Sequence, residues 1–243
     1  MNRSNPFFAL VFLSAGASAS TLGSHTLLAH EDGHGPGTAT TAPLTTDAVG
    51  SSLITFSAGY ADNTGQPFDN KSNLWTQLGA PVVYRGYNGE FDVKAFVVLD
   101  ALGGTSHSVS IIKNGVPAGE ITVPFIEIRQ AGVLQSVAVN YPAAGSVLSS
   151  DSVTTSGPAT LVAVWWGDAT GLHHTALPDN GFNIIENFGE LPPDSAVQCV
   201  VAARQVTSAG TYHVNWTNTP AQGAPLWLFA FQNHDGIFAT NFD

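Results

Sequence analysis

Ser52-Leu53-Ile54-Thr55-Phe56 is followed, 108 residues later, by Thr160-Leu161-Val162-Ala163-Val164. The flanking residues repeat in the same order, with Asp69-Asn70 after the first stretch and Asp179-Asn180 after the second. A period near 108 residues is much longer than the roughly 20–50 residues of a solenoid repeat. We therefore interpret the chain as a tandem duplication of one small domain.

The length and composition fit two ordered domains. The 243 residues allow two domains of about 100 residues each. We divide the chain into an N-terminal segment at 1–19, unit 1 at 20–132 and unit 2 at 133–243. With 44% hydrophobic residues, 10% charged residues, 25 Gly and 14 Pro, the sequence is typical of an ordered, turn-rich protein.

Short apolar runs separated by turn residues predict an all-β fold, because none of them shows a helical period. We expect two tandem antiparallel β-sandwiches, either immunoglobulin-like or jelly-roll in topology. Each unit should begin with a strand, near Thr26 and near Ser136. The further strands are predicted at 53–58, 75–78, 82–84, 93–99, 108–112, 121–128, 161–166, 182–188, 197–205, 212–216 and 226–231.

Two local features refine this prediction. Pro124 should break the strand at 121–128, because proline cannot donate to a ladder. Val197, Cys199 and Val201 alternate with the polar Gln198, the pattern of a strand with one buried and one solvated face.

The charge balance excludes several classes of partner. Lys and Arg number 7 against 18 Asp and Glu, for a net charge of −11. So few cations disfavour binding to nucleic acids and to anionic membrane surfaces. Cys199 is the only cysteine, which excludes an intrachain disulfide, and we expect it to be a buried, inert thiol.

The N-terminal segment has the order of a secretory signal peptide. Arg3 precedes an apolar run at residues 7–13, and the small residues Ala17-Ser18-Ala19 follow. The run is shorter than the about 20 residues that span a bilayer. We expect export with cleavage after Ala19; the alternative is a retained apolar arm that packs on a neighbouring subunit.

An Asp-Asn-x-x-Asn element occurs in both units. Asp and Asn side chains stabilise turns by bonding to nearby backbone groups, so a structural turn is the first interpretation. A calcium site is the alternative, since these are hard oxygen ligands, but Asp62 or Asp168 would have to join to approach the usual six to eight oxygens. The residues concerned are Asp69, Asn70, Asn73, Asp179, Asn180 and Asn183.

His30, Asp32 and His34 form the sharpest metal-like cluster, which could hold copper or zinc. Cleavage after Ala29 would make His30 an N-terminal copper ligand, but it would also remove the expected first strand. A solvated acidic loop is the simpler interpretation.

Trp165 and Trp166 are adjacent, so one should enter the core while the other faces outward. An outward indole beside Asp168 could stack on a sugar ring or a partner protein. Packing between the two units is the alternative role.

We expect no enzymatic activity. The chain has no Gly-x-Ser-x-Gly elbow. No histidine occupies matching positions of the two units with a serine and an acid alongside.

The residues Thr45-Thr46, Ser52-Leu53, Asp69-Asn70, Asn73 and Trp75 resemble those of a loosely defined class of β-sandwich modules. Such modules occur, often in tandem, in bacterial secreted or surface proteins and in phage tail and virion-associated proteins. The resemblance implies a structural or adhesive role and transfers no catalytic residue. It favours an exported, self-assembling protein; carbohydrate binding and copper or zinc binding are the alternatives.

Overall fold

The structure is a computed structural model that describes residues 19–30, 34–60, 63–85, 90–114, 119–168, 173–189 and 197–233. In these ranges, none of the segments is a helix of the length and hydropathy that crossing a membrane requires. The strands are β1 (Thr21–His30), β2 (Gly37–Thr40), β3 (Val49–Tyr60), β4 (Phe68–Asp69), β5 (Thr76–Gln77), β6 (Val82–Val83), β7 (Phe91–Leu102), β8 (Val109–Lys113), β9 (Ile121–Arg129), β10 (Val133–Asn140), β11 (Gly145–Ser149), β12 (Val153–Thr155), β13 (Ala159–Trp166), β14 (Thr175–Pro178), β15 (Asn183–Phe188), β16 (Cys199–Val206), β17 (Gly210–Tyr212), β18 (Asn215–Gln222) and β19 (Leu226–Gln232).

Each unit contains one large and one small antiparallel sheet that pack on each other, and unit 2 has in addition the two-stranded sheet β12-β17. Inner sheet 1 has the order β1-β9-β3-β7-β5, with β6 also paired to β7, and outer sheet 1 has the order β2-β8-β4. Inner sheet 2 has the order β10-β19-β13-β16-β15, and outer sheet 2 has the order β11-β18-β14. The two units share one strand order, as a tandem duplication requires.

Nested strand pairing decides between the two sandwich topologies. In unit 1, β1 pairs with β9, β2 with β8 and β3 with β7. In unit 2, β10 pairs with β19, β11 with β18 and β13 with β16. This nesting of early with late strands over two sheets is the jelly-roll arrangement.

The repeat extends to individual hydrogen bonds. The Thr41 N–H donates to the Val109 carbonyl at 2.9 Å, and the Val109 N–H donates to Thr41 Oγ1 at 3.1 Å. In unit 2, Ser150 and Val214 form the same pair of bonds, also at 2.9 and 3.1 Å. The tandem duplication explains why the same backbone and side-chain hydrogen bonds occur in both units.

The predicted strands all overlap observed ones, and strands begin both units near Thr26 and Ser136 as expected. The sequence analysis missed the short strands β2, β4, β11, β12 and β14, most of which are rich in Thr, Ser or Gly. The expected break at Pro124 is wrong, because β9 continues through it. Only its pairing with β3 is interrupted there, where Thr55 Oγ1 donates to the Pro124 carbonyl at 2.8 Å.

The inner sheets of the two units face each other and share one core. Every residue of β13 is buried, and alternate side chains point to opposite sides. Val162, Val164 and Trp166 join the core shared with unit 1, while the residues between them join the core of unit 2. Inner sheet 2 is therefore covered on both faces.

This double coverage corrects the prediction of a half-buried strand at 197–205. Cys199 and Val201 do alternate with Val200, but Val200 lies in the core of unit 2 instead of facing solvent. Gln198 is also buried. Burial raises the pKa of the Cys199 thiol well above its usual range, with a further contribution from Glu186, which fits the expected inert thiol.

The shared core depends on complementary side-chain sizes. The Phe56 ring lies 5.4 Å from the Trp166 ring, 5.6 Å from that of Trp227 and 5.9 Å from that of Phe229. Ala58 occupies in unit 1 the position that Trp166 has in unit 2. The large residues of unit 2 thus fill space that small residues of unit 1 leave open, as close packing requires.

Polar contacts frame this apolar core. Ser20 Oγ donates to the Phe231 carbonyl at 2.9 Å, and the Thr160 N–H donates to Ser20 Oγ at 3.1 Å. On another edge, His25 Nδ1 lies 2.7 Å from Glu186 Oε1. These bonds satisfy backbone and side-chain groups at the junction and fix how the units meet.

Replacing Phe56 by Ala should lower the free energy of unfolding by about 3–5 kcal/mol. Four of the five tryptophans belong to unit 2, so indole fluorescence in a urea titration should show this loss in unit 2 although the substitution lies in unit 1. Phe68→Ala is the matched control, because that ring is 45% exposed. An unchanged fluorescence transition in Phe56→Ala would contradict a shared core.

Candidate functional site

The paired tryptophans lie inside the molecule. Trp165 and Trp166 are both 0% exposed, so the expectation of one outward indole is wrong. Trp165 belongs to the core of unit 2 and Trp166 to the core between units. The alternative role, packing between the units, is the one that Trp166 performs. All five tryptophans of the chain are buried, which leaves no indole as a stacking platform for a sugar.

Asp168 lies at the end of β13 and serves the neighbouring turn. Its Oδ2 accepts a hydrogen bond from the Gly223 N–H at 2.9 Å, and its own N–H donates to Gln222 Oε1 at 3.0 Å. These bonds tie β13 to the connection between β18 and β19.

The Asp69 element of unit 1 is a hydrogen-bonded turn. Asp69 Oδ1 accepts from the N–H groups of Lys71 and Asn73 at 2.9 and 3.0 Å. Its Oδ2 accepts from Asn73 Nδ2 at 2.9 Å and from Trp75 Nε1 at 3.0 Å. Asn70 bonds through its side chain to the backbone of Ser106 and Ser108. Four N–H donors on one carboxylate favour the turn interpretation over calcium, which would need those same oxygens.

A buried histidine completes this cluster. His107 Nδ1 lies 2.8 Å from Thr46 Oγ1, and its Nε2 lies 3.6 Å from Asp69 Oδ2. The sequence analysis did not expect a hydroxyl, an imidazole and a carboxylate to converge. All three residues are buried, His107 completely, so the group stabilises the interior and offers no open face to a substrate.

The environment keeps Asp69 ionised. Burial alone would raise its pKa, but the His107 side chain, Asn73 and Lys71 favour the charged form and lower the pKa to about 2. The carboxylate therefore holds its turn at all pH values above that range.

The matching turn of unit 2 has diverged. Asp179 is exposed, and its carboxylate accepts from the backbone and side-chain nitrogens of Asn215, each at 2.7 Å. Asn180, at φ 53°, donates from Nδ2 to the His213 carbonyl at 3.3 Å. Asn183 starts β15, where it pairs with Ala203. One sequence element thus forms two different turns.

The predicted copper or zinc cluster has an unfavourable arrangement. The His30 and His34 rings stack, with centroids 4.4 Å apart and planes inclined by 8°, and Lys113 Nζ lies 3.3 Å from His30 Nδ1. Ring nitrogen lone pairs lie in the ring plane, so stacked rings do not direct them to one metal. Asp32 lies outside the described residues. Among the residues that are described, no group of three His, Cys, Asp or Glu could hold a metal ion.

A buried glutamate in β9 has no counterpart in the sequence predictions. Glu127 Oε1 accepts from the Asp47 N–H at 2.6 Å and from Ser51 Oγ at 2.8 Å, and its Oε2 accepts from the Ser24 N–H at 3.0 Å. A Cβ at Gly23 would lie 2.3 Å from Glu127 Oε2, so this approach requires glycine. The only sequence feature that could have indicated this buried carboxylate is the position of Glu127 between two isoleucines.

The outward surface of outer sheet 1, which we call outer face 1, exposes apolar side chains without any charge. Ile112 is 60% exposed and Phe68 is 45% exposed. Thr40 Oγ1 and Ser110 Oγ hydrogen-bond to each other across the strands at 2.9 Å. The face consists of the exposed Thr38, Thr40, Phe68 and Ile112, with Ser110, only 8% exposed, between them.

Outer sheet 2 presents an equivalent surface, outer face 2. Val147 and Leu177 are 58% and 57% exposed. Ser149 Oγ bonds to Asn215 Oδ1, the same pairing of polar groups across strands as on outer face 1. The face consists of Val147, Ser149, Thr175, Leu177, Asn215, Thr217 and Thr219, none of which is charged; the exposed carboxylate of Asp179 lies at its edge and accepts from Asn215 Nδ2.

These two faces are the candidate functional surface. They lie at opposite ends of the four stacked sheets, and several of their polar side chains already bond to one another. A partner can therefore cover them with little loss of hydrogen bonds to water. The sequence did not predict these faces, because none of the strands β2, β4, β11 and β14 was expected from it.

Comparisons of the chain with models of protein families, with curated proteins and with solved structures found no match. The assignment of an all-β architecture with two sandwich-like halves is therefore based on the structure alone.

Replacing Asp69 by Asn should flatten the acid dependence of stability. An acid whose pKa is lowered on folding stabilises the protein above its unfolded pKa of 3.8, and this stability is lost as the pH falls toward 2. The shift corresponds to about 2 kcal/mol. Urea unfolding between pH 5 and pH 2 measures it, with the exposed Asp179→Asn as the control. An equal effect of both substitutions would contradict the special role of Asp69.

His30, a base, should also make the protein less stable as the pH falls. Burial, then the charges of Lys113 and His34, lower its pKa from 6.5 to about 4. The unfolded chain therefore takes up the proton first, and stability falls as the pH drops from 6.5 to 4. His30→Gln should therefore weaken this dependence. NMR titration of the His30 ring tests the pKa directly, and a midpoint near 6.5 would refute it.

Proposed function

We propose that the protein is a non-enzymatic, exported structural or adhesive component that assembles with copies of itself into a filament, coat or surface layer. The observation that carries this proposal is the pair of uncharged outer faces. The apolar exposure comes from two large side chains on each face, Phe68 and Ile112 on outer face 1 and Val147 and Leu177 on outer face 2.

The charge distribution supports self-contact at these faces. With a net charge of −11, two copies repel each other over most of their surfaces. Uncharged faces are where close approach costs least, and burying their apolar side chains is favourable. Copies of the chain are therefore suitable partners for these faces.

The internal groups support a structural role. The carboxylates of Asp69 and Glu127 are each occupied by at least three donors from the protein itself. Such groups position turns and strands. The signal-like segment at 1–19 supports export, and the resemblance to modules of bacterial surface and phage particles supports an assembled, extracellular setting.

The alternatives receive less support. Carbohydrate binding through Trp165 or Trp166 would need an indole that both residues keep inside the molecule. Copper or zinc binding at His30 and His34 would need the stacked rings to separate.

Sedimentation and electron microscopy of the purified protein test the proposal. Assembly should increase with protein concentration and with salt, because salt screens the repulsion between copies. The double substitution Ile112→Glu with Thr217→Glu should abolish it by placing a charge on each outer face.

The control is Thr76→Glu with Thr211→Glu, which adds two equal charges at exposed strand positions away from both faces. This control protein should assemble like the wild type. A wild-type protein that remains monomeric at high concentration and high salt would overturn the proposed function.

A further inference from the structure

The two outer faces differ at one equivalent position in a way that makes them complementary. Ile112 and Thr217 both lie on the central strand of an outer sheet, opposite Thr38 and Val147 respectively. The duplication therefore placed a large aliphatic residue in one unit where the other has a small one.

On outer face 1, Ile112 is a projecting knob. Its neighbour on β2 is the smaller Thr38. On the β4 side Gly65 lies close to the strand, since its Cβ would be only 3.3 Å from the Ile112 carbonyl oxygen. The side chain is 60% exposed.

On outer face 2, Thr217 is the floor of a notch. It lies in register between Val147 on β11 and Leu177 on β14, both of them larger and more than half exposed. The row Val147-Thr217-Leu177 thus has two aliphatic walls around a short side chain. Such a row can receive a branched aliphatic group from a facing sheet.

The charges around the two faces are also unlike. Lys71 lies in the turn after β4, and Gly181 replaces it in the turn after β14, where Asp179 is exposed. Unit 1 holds five of the seven Lys and Arg residues of the chain, and unit 2 holds only Arg204. Contact between unlike faces therefore opposes the Lys71 cation to the Asp179 carboxylate, whereas two copies of outer face 2 would bring their Asp179 carboxylates together.

We infer that outer face 1 of one copy packs on outer face 2 of the next, with Ile112 inserted between Val147 and Leu177 over Thr217. This inference rests on the proposed function and specifies its contact. The two faces lie at opposite ends of the stacked sheets. Each copy therefore offers one of each, and the contact is head-to-tail and open-ended instead of closing into a dimer.

The mode of contact repeats one found inside the molecule. Inner sheet 1 contributes the small Ala58 and Ala95 to the shared core, and inner sheet 2 contributes the large Trp166 and Trp227. Between copies the sizes are exchanged, because unit 1 supplies the knob and unit 2 the notch. The molecule is a stack of four sheets, and the proposed contact extends that stack.

Mixing two single variants tests the inference. Ile112→Glu blocks outer face 1 only, and Thr217→Glu blocks outer face 2 only. In head-to-tail assembly each variant alone should sediment as a monomer of about 25 kDa, and their equimolar mixture should form a dimer of twice that mass, capped at both ends. Thr76→Glu, the same substitution at an exposed strand position, should leave wild-type assembly intact.

Each other outcome overturns the inference. If each variant alone forms a dimer and the mixture gives nothing new, the contacts join like faces. If both variants assemble as the wild type does, the outer faces are not the contact, although the proposed self-assembly stands. If the wild type is monomeric, the proposed function itself fails.

A second variant protects the test against misfolding. Thr217→Ile keeps a β-branched residue on β18 and fills the notch, so it should fold normally and raise the concentration for half-assembly at least tenfold. Circular dichroism and the urea midpoint confirm the fold. A normally folded Thr217→Ile protein that assembles as readily as the wild type would refute the insertion of Ile112.

Discussion

The apolar contact between the two inner sheets is the constraint on which the rest of the molecule depends. It places Phe56 of unit 1 among Trp166, Trp227 and Phe229 of unit 2 and removes the second face of each inner sheet from water. Burial of this kind is the main favourable term in folding. Each jelly roll keeps a smaller core of its own beneath its outer sheet, but the central core belongs to both.

Once the inner faces are buried, the outward faces of the outer sheets are the sheet faces that remain exposed in the described parts of the chain. Polar groups at the edge of this junction bond across it, as Ser20 with the Phe231 carbonyl and His25 with Glu186 show. Among the described residues, the two outer faces at the ends of the stack combine exposed apolar side chains with polar side chains that bond to each other, which makes them the candidate surface for a partner.

The duplicated units have diverged where packing or contact permits it. Asp69 is buried beneath the Trp75 indole, while its counterpart Asp179 is exposed and bonds to Asn215. Glu127 binds three parts of unit 1, and Ala230 occupies the matching register in unit 2. The common fold tolerates these differences because the nested strand pairing is kept.

Sequence alone determined the local properties: the repeat near 108 residues, the all-β class, the positions of the apolar strands and the turn at Asp69. Each of these depends on residues close together in the chain, where the sequence pattern itself shows the period of a strand and the residue types of a turn. Tertiary structure alone decided the jelly-roll order, the burial of both Trp165 and Trp166, the meeting of Thr46 with His107 and Asp69, and the outer faces. These features depend on which sheet covers which, and a strand with one covered face has the same period of two as a strand with both faces covered.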